Sequence, residues 1–104
     1  MEQQKLIKMN IYVDIDNTIC ETIGVEYEKA TPIKHNIKKI NLLYDKGNNI
    51  TYWTARGTVS KKNYYDLTHG QLSSWGCKFH KLIVGVKPAY DLLICDKTKR
   101  IEEI

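Results

Sequence analysis

Two carboxylates, Asp14 and Asp16, stand directly after the apolar run 11–13. That run is the centre of a predicted strand that extends from Ile7 to Asp14 and is β-branched in its second half. An acidic pair at the end of a strand can chelate a hard cation and still leave one oxygen free to attack an electrophile. The pair alone is weak support for a site, so its meaning depends on the polar residues at later strand ends.

Predicted strands and helices alternate through the rest of the sequence. Apolar side chains from Ile33 to Tyr44 follow helical spacing, which predicts a helix with Thr31 as N-cap, Pro32 at its first position and Gly47 at its end. The other predicted elements are strands over 50–54, 82–84 and 92–95, a loop over 56–66, and a short helix over 67–75 that Gly76 ends.

This alternation predicts one α/β domain over residues 1–104 with a mainly parallel sheet and right-handed crossovers. In such sheets, ligands bind beyond the carboxyl ends of the strands. Asp14, Thr54 and Asp96 each close an apolar run. We therefore expect the sheet to bring these three side chains to one edge.

The ordered set of polar residues at these run ends suits phosphoryl chemistry. A phosphate monoester is dianionic and repels a nucleophile, and Mg²⁺ bound by Asp14 and Asp96 would remove that obstacle. Attack by Asp14 would give an aspartyl-phosphate, and Asp16, on the same side of an extended segment, would protonate the leaving oxygen and later activate water. Thr54 offers a hydroxyl donor, and Lys87 a cation, to the transferring group.

The same residues resemble all four sequence motifs of the haloacid dehalogenase superfamily of phosphatases. The match in order and spacing runs from residue 9 to about residue 98. Residues 14–18 are similar to the DxDxT nucleophile loop and residues 52–56 to the apolar strand that ends in a phosphate-binding Ser or Thr. Lys87 in 86–88 resembles the lysine of the third motif, and residues 93–96 resemble the acidic fourth motif.

The resemblance implies a three-layer, Rossmann-like core and a magnesium-dependent phosphatase. It implies that Asp14 is the nucleophile and Asp16 the acid/base, and that the metal is held by Asp14, the backbone carbonyl of Asp16, and Asp96. The residues expected around the substrate phosphate are Asn17 and Thr18 with their backbone amides, Thr54, Ala55, Arg56 and Lys87. For Arg56 the sequence leaves two interpretations, phosphate binding or pairing with a carboxylate.

Two departures from the family pattern stand out. The fourth motif often carries a second acid, but Lys97 follows Asp96 here, which predicts a weaker metal site. Segments 19–32 and 57–81 are also too short for a cap domain, so the first is expected to form only a flap. Short forms with Thr-Ala-Arg-Gly and Trp-Gly, as in residues 54–57 and 75–76, resemble small phosphatases found with surface-polysaccharide sugar biosynthesis.

Composition excludes several other classes. Hydrophobic residues make up 42% and charged residues 27%, and no run approaches the length of about 20 apolar residues that spans a membrane. The N-terminal residues lack the pattern of a signal peptide. Three cysteines without CxxC spacing disfavour a disulfide framework or a zinc site and favour the reducing cytoplasm.

The sequence leaves the substrate and the partners open. A small sugar phosphate or a nucleotide is the leading substrate class, and a net charge of +4 favours anionic ligands. The basic, aromatic segment 56–65 also suits a macromolecular phosphate such as a nucleic-acid end or a phosphoprotein. Lys97 in place of an acid suggests a non-catalytic phosphate-binding or assembly protein. A homo-oligomer could cover the open, capless site.

Overall fold

The computed structural model of the chain describes residues 8–85, 92–94 and 101. The strands are β1 (Asn10–Asp14), β2 (Cys20–Glu21), β3 (Thr31–Pro32), β4 (Asn49–Thr54), β5 (Lys81–Val84) and β6 (Leu92–Ile94). The helices are α1 (Lys34–Asp45), α2 (Tyr65–Ser74) and a single 3₁₀ turn at Tyr27–Lys29.

The main sheet has four parallel strands in the order β5-β4-β1-β6. The helix α1 connects β1 to β4, and α2 connects β4 to β5, as parallel neighbours require a crossover. Asp14 pairs with Trp53 in the register, so Asp14 and Thr54 end adjacent strands at the same edge. The predicted α/β fold with a mainly parallel sheet is confirmed, as is the placement of these two residues.

The core lies where the two helices pack on the central strands. In β1 the side chains of Ile11 and Val13 are buried, as the period of two in a strand requires. Helix α1 buries Ile37 and Ile40, which lie three residues apart on one face, and α2 contributes Leu72 to the same cluster. Burial of this apolar surface is the main force that holds the sheet and its helices together.

The predicted start of α1 is wrong. Thr31 and Pro32 form β3, which pairs antiparallel with β2, and the helix begins at Lys34. The amide of Ile33 donates to the carbonyl of Ile19 over 2.8 Å, which keeps the chain extended up to the helix. This pairing with a distant segment outweighs the local capping signal of a threonine followed by a proline.

Other boundaries also differ by a few residues. Helix α2 begins at Tyr65, within the predicted loop, because the Asn63 side chain accepts a hydrogen bond from the Tyr65 amide at 2.9 Å and starts the turn early. It ends at Ser74, and β1 begins at Asn10 rather than Ile7. The predicted glycine ends are confirmed, since Gly47 and Gly76 have φ angles of 99° and 76°.

Residues 19–32 form the flap. Its two short strands make an antiparallel ribbon, and the 3₁₀ turn lies between them. In the part of the chain that the structure describes, no helix combines the length and the apolar character that crossing a membrane requires.

Candidate active site

The first site residue, Asp14, lies at the carboxyl end of the central strand β1. Its carboxylate is half-buried, and its Oδ1 accepts a hydrogen bond from the Ile15 amide at 2.8 Å. Its pairing partner Trp53 directly precedes Thr54 in the neighbouring strand. The sheet therefore presents this carboxylate beside the hydroxyl-bearing end of β4.

A tight turn after β1 carries the rest of the acidic motif. Asn17 occupies the left-handed region with φ 64°, and its amide donates to the carbonyl of Cys20 at 2.8 Å. The Thr18 amide donates to the Ile15 carbonyl at 3.2 Å, and the Asn36 side chain donates to the Thr18 carbonyl at 3.0 Å. Both amides predicted to surround a phosphate thus have partners within the turn, and their contact with phosphate stays a prediction.

Asp16 accepts hydrogen bonds from three side chains. Arg56 donates to it from Nη2 at 2.7 Å and from Nε at 3.0 Å, which makes a bidentate pair. The hydroxyls of Thr22 and Thr54 donate to it at 2.7 and 3.3 Å. Since β1 ends at Asp14, the alternation of a strand does not set the direction of Asp16 as predicted; these donors do.

Arg56 is fully buried and binds protein groups on every side. Its Nη1 donates to the hydroxyl of Thr68 at 3.1 Å and to Oε1 of Gln71 at 2.6 Å, and both residues belong to α2. Its guanidinium carbon also lies 4.8 Å from the centre of the Tyr27 ring in the flap. Of the two interpretations of Arg56, pairing with a carboxylate is the one seen here.

The environment of Asp16 favours its charged form. Burial raises the pKa of this carboxyl group, but the hydrogen bonds from Arg56 and Thr22 and the charge of Arg56 lower it by more. The net result is a pKa below the usual range of an aspartate. Asp16 is therefore a carboxylate at neutral pH.

Sequence reasoning missed four residues of this cluster: Tyr27, Thr22, Thr68 and Gln71. Gln71 links Arg56 to the flap, because the Nε2 of Gln71 also donates to the Tyr27 carbonyl at 2.7 Å. None of the four belongs to a recognisable motif. The expectation that Arg56 pairs with a carboxylate does not point to any of them.

The atoms of the described site that could bind a metal ion are oxygens. Oxygen ligands suit Mg²⁺ better than zinc. Among residues 8–85, 92–94 and 101, no group of three or more His, Cys, Asp or Glu side chains could hold a metal ion. The predicted ligand Asp96, the predicted phosphate contact Lys87, and Lys97 lie outside the described residues. Their roles stay predictions.

Comparison with known proteins adds a likeness of fold. No protein-family model matches the chain, and no curated protein matches it. A crystal structure of a target protein from Vibrio cholerae is similar, with a TM-score of 0.68 and 20% sequence identity over 80% of this chain and 72% of that one. At this identity the likeness concerns the fold alone.

Proposed function

We propose that this protein is a magnesium-dependent phosphomonoesterase of the haloacid dehalogenase type, without a cap domain, that acts through an aspartyl-phosphate. The observation that carries the proposal is the edge of the sheet at which Asp14 and Thr54 end adjacent parallel strands. Asp16 is bonded beside them by Thr54 and Arg56. A nucleophile, a hydroxyl donor and an acid/base are the groups that this reaction needs.

In the first half of the reaction, a carboxylate oxygen of Asp14 attacks the phosphorus and the leaving oxygen departs. The hydrogen bond from the Ile15 amide orients the carboxylate for this attack. The Thr54 hydroxyl, which now donates to Asp16 at 3.3 Å, can turn to a phosphate oxygen with little loss because that bond is long. The phosphoryl group is then bound to Asp14.

In the second half, Asp16 takes a proton from water, and the resulting hydroxide attacks the phosphorus and releases Asp14. The lowered pKa of Asp16 keeps it deprotonated at neutral pH, as a base must be, although it also makes Asp16 a weaker base than an ordinary aspartate. Protonation of a leaving oxygen by the same group is harder, because a proton on Asp16 weakens its bidentate pair with Arg56. We therefore expect faster turnover of esters whose leaving group is a stable anion, such as p-nitrophenyl phosphate.

A magnesium ion would be held by Asp14 and the backbone carbonyl of Asp16, with Asp96, which lies outside the described residues, as the predicted third ligand. When bound, Mg²⁺ would offset the repulsion between the Asp14 carboxylate and a dianionic phosphate. Lys87 would add a cation for the phosphoryl oxygens. The preferred substrate class is a small sugar phosphate or a nucleotide.

A substrate panel measured with Mg²⁺ and with excess EDTA tests the proposal. EDTA should abolish hydrolysis and added Mg²⁺ should restore it. Asp14→Asn keeps the shape of the side chain but removes the attacking charge, so it should lower kcat by at least about a hundredfold. The matched control is Asp45→Asn, an exposed carboxylate on α1 that pairs with Lys78, and its activity should be unchanged.

Hydrolysis by Asp14→Asn at near-normal rates would refute the covalent mechanism, and hydrolysis that survives full chelation would refute the metal requirement. If the protein binds phosphate esters but turns none of them over, the non-catalytic phosphate-binding alternative replaces the enzyme.

A further inference from the structure

A cavity of about 560 Å³ lies beside the candidate active site, between the ends of β4 and β5. Its size falls within the range of about 300–1,000 Å³ that is typical of small-molecule sites. The lining residues include two lysines, two tyrosines and two polar side chains: Lys61, Lys62, Tyr64, Tyr65, Thr58 and Asn63. The described residues that line it include no carboxylate, so its charge is positive.

The cavity borders the carboxyl ends of β4 and β5. Arg56, Val84 and Gly85 also line it. The Gly85 amide donates to the carbonyl of Thr54 at 2.7 Å, so one lining residue of the cavity is bonded directly to the strand end that carries the hydroxyl donor. A phosphate ester held at Thr54 and Asp14 therefore has this cavity as a neighbour for the remainder of the molecule.

The loop that carries the two lysines is held in one shape. The Lys61 amide donates to the Gly57 carbonyl at 2.8 Å, and Lys61 has a φ angle of 66°, which is unusual for a residue with a side chain. A Cβ atom at Gly57 would lie 2.2 Å from the Lys62 carbonyl oxygen, so the two backbones are in close contact. The lysines are thus presented by a compact turn.

Each of the two tyrosines of the cavity packs against another aromatic ring. Tyr64 packs edge-on against Tyr27 of the flap, with ring centres 5.0 Å apart. Tyr65 stacks on His69, with ring centres 6.0 Å apart and planes 22° from parallel. Aromatic side chains that already pack against neighbours suit contact with a ring in the ligand, because little side-chain freedom is lost on binding.

Lys61 and Lys62 form no ion pair with any residue in the described part of the chain. Arg56 differs, because Asp16 already neutralises it. The positive charge of the cavity is therefore available to a ligand, and the natural counterpart is an anionic group some distance from the reacting phosphate.

We propose that this cavity binds a second anionic group on the leaving group of the substrate, so that the preferred substrates are ring-bearing bisphosphates rather than simple monophosphates. This inference rests on the proposed function, which supplies the reacting phosphate. The ring that carries the second anion is a sugar or a nucleoside, and the tyrosines contact it.

The test uses two matched pairs of compounds: fructose 6-phosphate with fructose 1,6-bisphosphate, and adenosine 5′-monophosphate with adenosine 3′,5′-bisphosphate. Binding to the full chain is measured by calorimetry without metal, and turnover is measured separately with Mg²⁺. Wild type should bind the bisphosphate of at least one pair about tenfold more tightly, which corresponds to about 1.4 kcal/mol. A preference in the adenosine pair alone would identify a nucleoside, and one in the fructose pair alone a sugar.

The double variant Lys61→Ala/Lys62→Ala should lose most of that preference while its binding of the monophosphates changes little. Lys8→Ala/Lys81→Ala is the matched control, since both lysines are exposed and lie near the opposite, amino-terminal edge of the sheet. The control should keep the preference. Equal binding of each pair by wild type, or equal effects of the two double variants, would overturn the assignment of the cavity.

Measuring binding and turnover separately distinguishes failure of the cavity assignment from failure of the proposed phosphatase activity. Lysine-dependent binding of bisphosphates without turnover of any compound would refute the phosphatase and support the cavity as an anion site. Turnover of all four compounds without a preference for bisphosphates would support the phosphatase and refute the cavity assignment.

Discussion

The segments that continue from β1 and β4 leave adjacent strands at the same edge but are built differently. The first loop, residues 15–22, buries Ile15, Thr18, Ile19 and Cys20 completely and exposes Asn17 and Glu21. The second loop, residues 55–64, buries only Arg56 and then turns outward, and Val59 near its tip is 93% exposed. An ion pair between Asp16 and Arg56 links the two loops.

Under the proposed function, this difference would separate the groups that carry out the reaction from those that select the substrate. Groups that must be held to within a fraction of an ångström lie on the packed loop or beside it, where the core and a dense set of hydrogen bonds hold them. The exposed loop can change its side chains at little cost to the core, so it suits contacts that select a substrate. The Asp16–Arg56 pair fixes the base of the exposed loop to the packed one.

Removal of the pair should have the largest effect on the fold. In Arg56→Met, a side chain of similar length leaves Asp16 without its cation, and the free energy of unfolding should fall by about 3–5 kcal/mol. We expect a loss near the lower end of this range, because the Asp16 side chain is 21% exposed and water can partly solvate its charge. Urea unfolding followed by circular dichroism measures the loss.

The same substitution at Lys62, which is exposed in the same loop, should change stability by no more than about 0.5 kcal/mol. Equal losses in the two variants would show that Arg56 is not the point at which the second loop is fixed.

The shape of the second loop depends on Gly57. Its φ angle is 87°, and an added Cβ would meet the Lys62 carbonyl oxygen at 2.2 Å. Gly57→Ala should therefore destabilise the protein by about 1–3 kcal/mol through backbone strain. Gly70→Ala is the control, since Gly70 lies in α2 with no atom close to the added methyl group, and there alanine should stabilise by about 0.5–1 kcal/mol. A shift of the midpoint of thermal unfolding in the same direction for both variants would contradict this description of the loop.

The smallest expected effect concerns the hydrogen bond from Thr22 to Asp16, which is 2.7 Å long. Thr22→Val should cost about 1 kcal/mol at neutral pH. The folded pKa of Asp16 is lowered, so its contribution to stability is complete above the unfolded pKa of about 3.9 and is lost as pH falls through the lower folded value. Without the Thr22 donor the folded pKa rises towards normal, and less stability remains to be lost in acid.

Unfolding by urea at pH values from 7 to 3 should therefore show a smaller acid-induced loss in Thr22→Val than in wild type. Thr58→Val, the same change at an exposed position of the second loop, should leave the wild-type pH profile intact. A profile for Thr22→Val that runs parallel to that of wild type would show that this hydroxyl does not hold the Asp16 pKa down.

Several parts of the fold could be predicted because their signals are local. Runs of apolar residues identified the strands that end at Asp14 and Thr54, and helical spacing identified α1 up to Gly47. The start of α1 was mispredicted because Thr31 and Pro32 pair with residues about ten positions earlier in the chain. The capping signal of Thr31 and Pro32 is local, so it carries no information about their pairing with β2 in the folded chain.

The candidate site likewise has features that the sequence predicts and features that depend on the folded chain. Which carboxylates and hydroxyls occur at strand ends can be read from the residues alone, and the order of the strands then places Asp14 beside Thr54. The role of Arg56 depends on the folded chain, since its partners Asp16, Thr68 and Gln71 lie 40, 12 and 15 residues away. The physical reason is burial: a guanidinium inside the protein must find an acceptor for its donors, and which acceptors lie within reach is set by how β1, β4 and α2 pack.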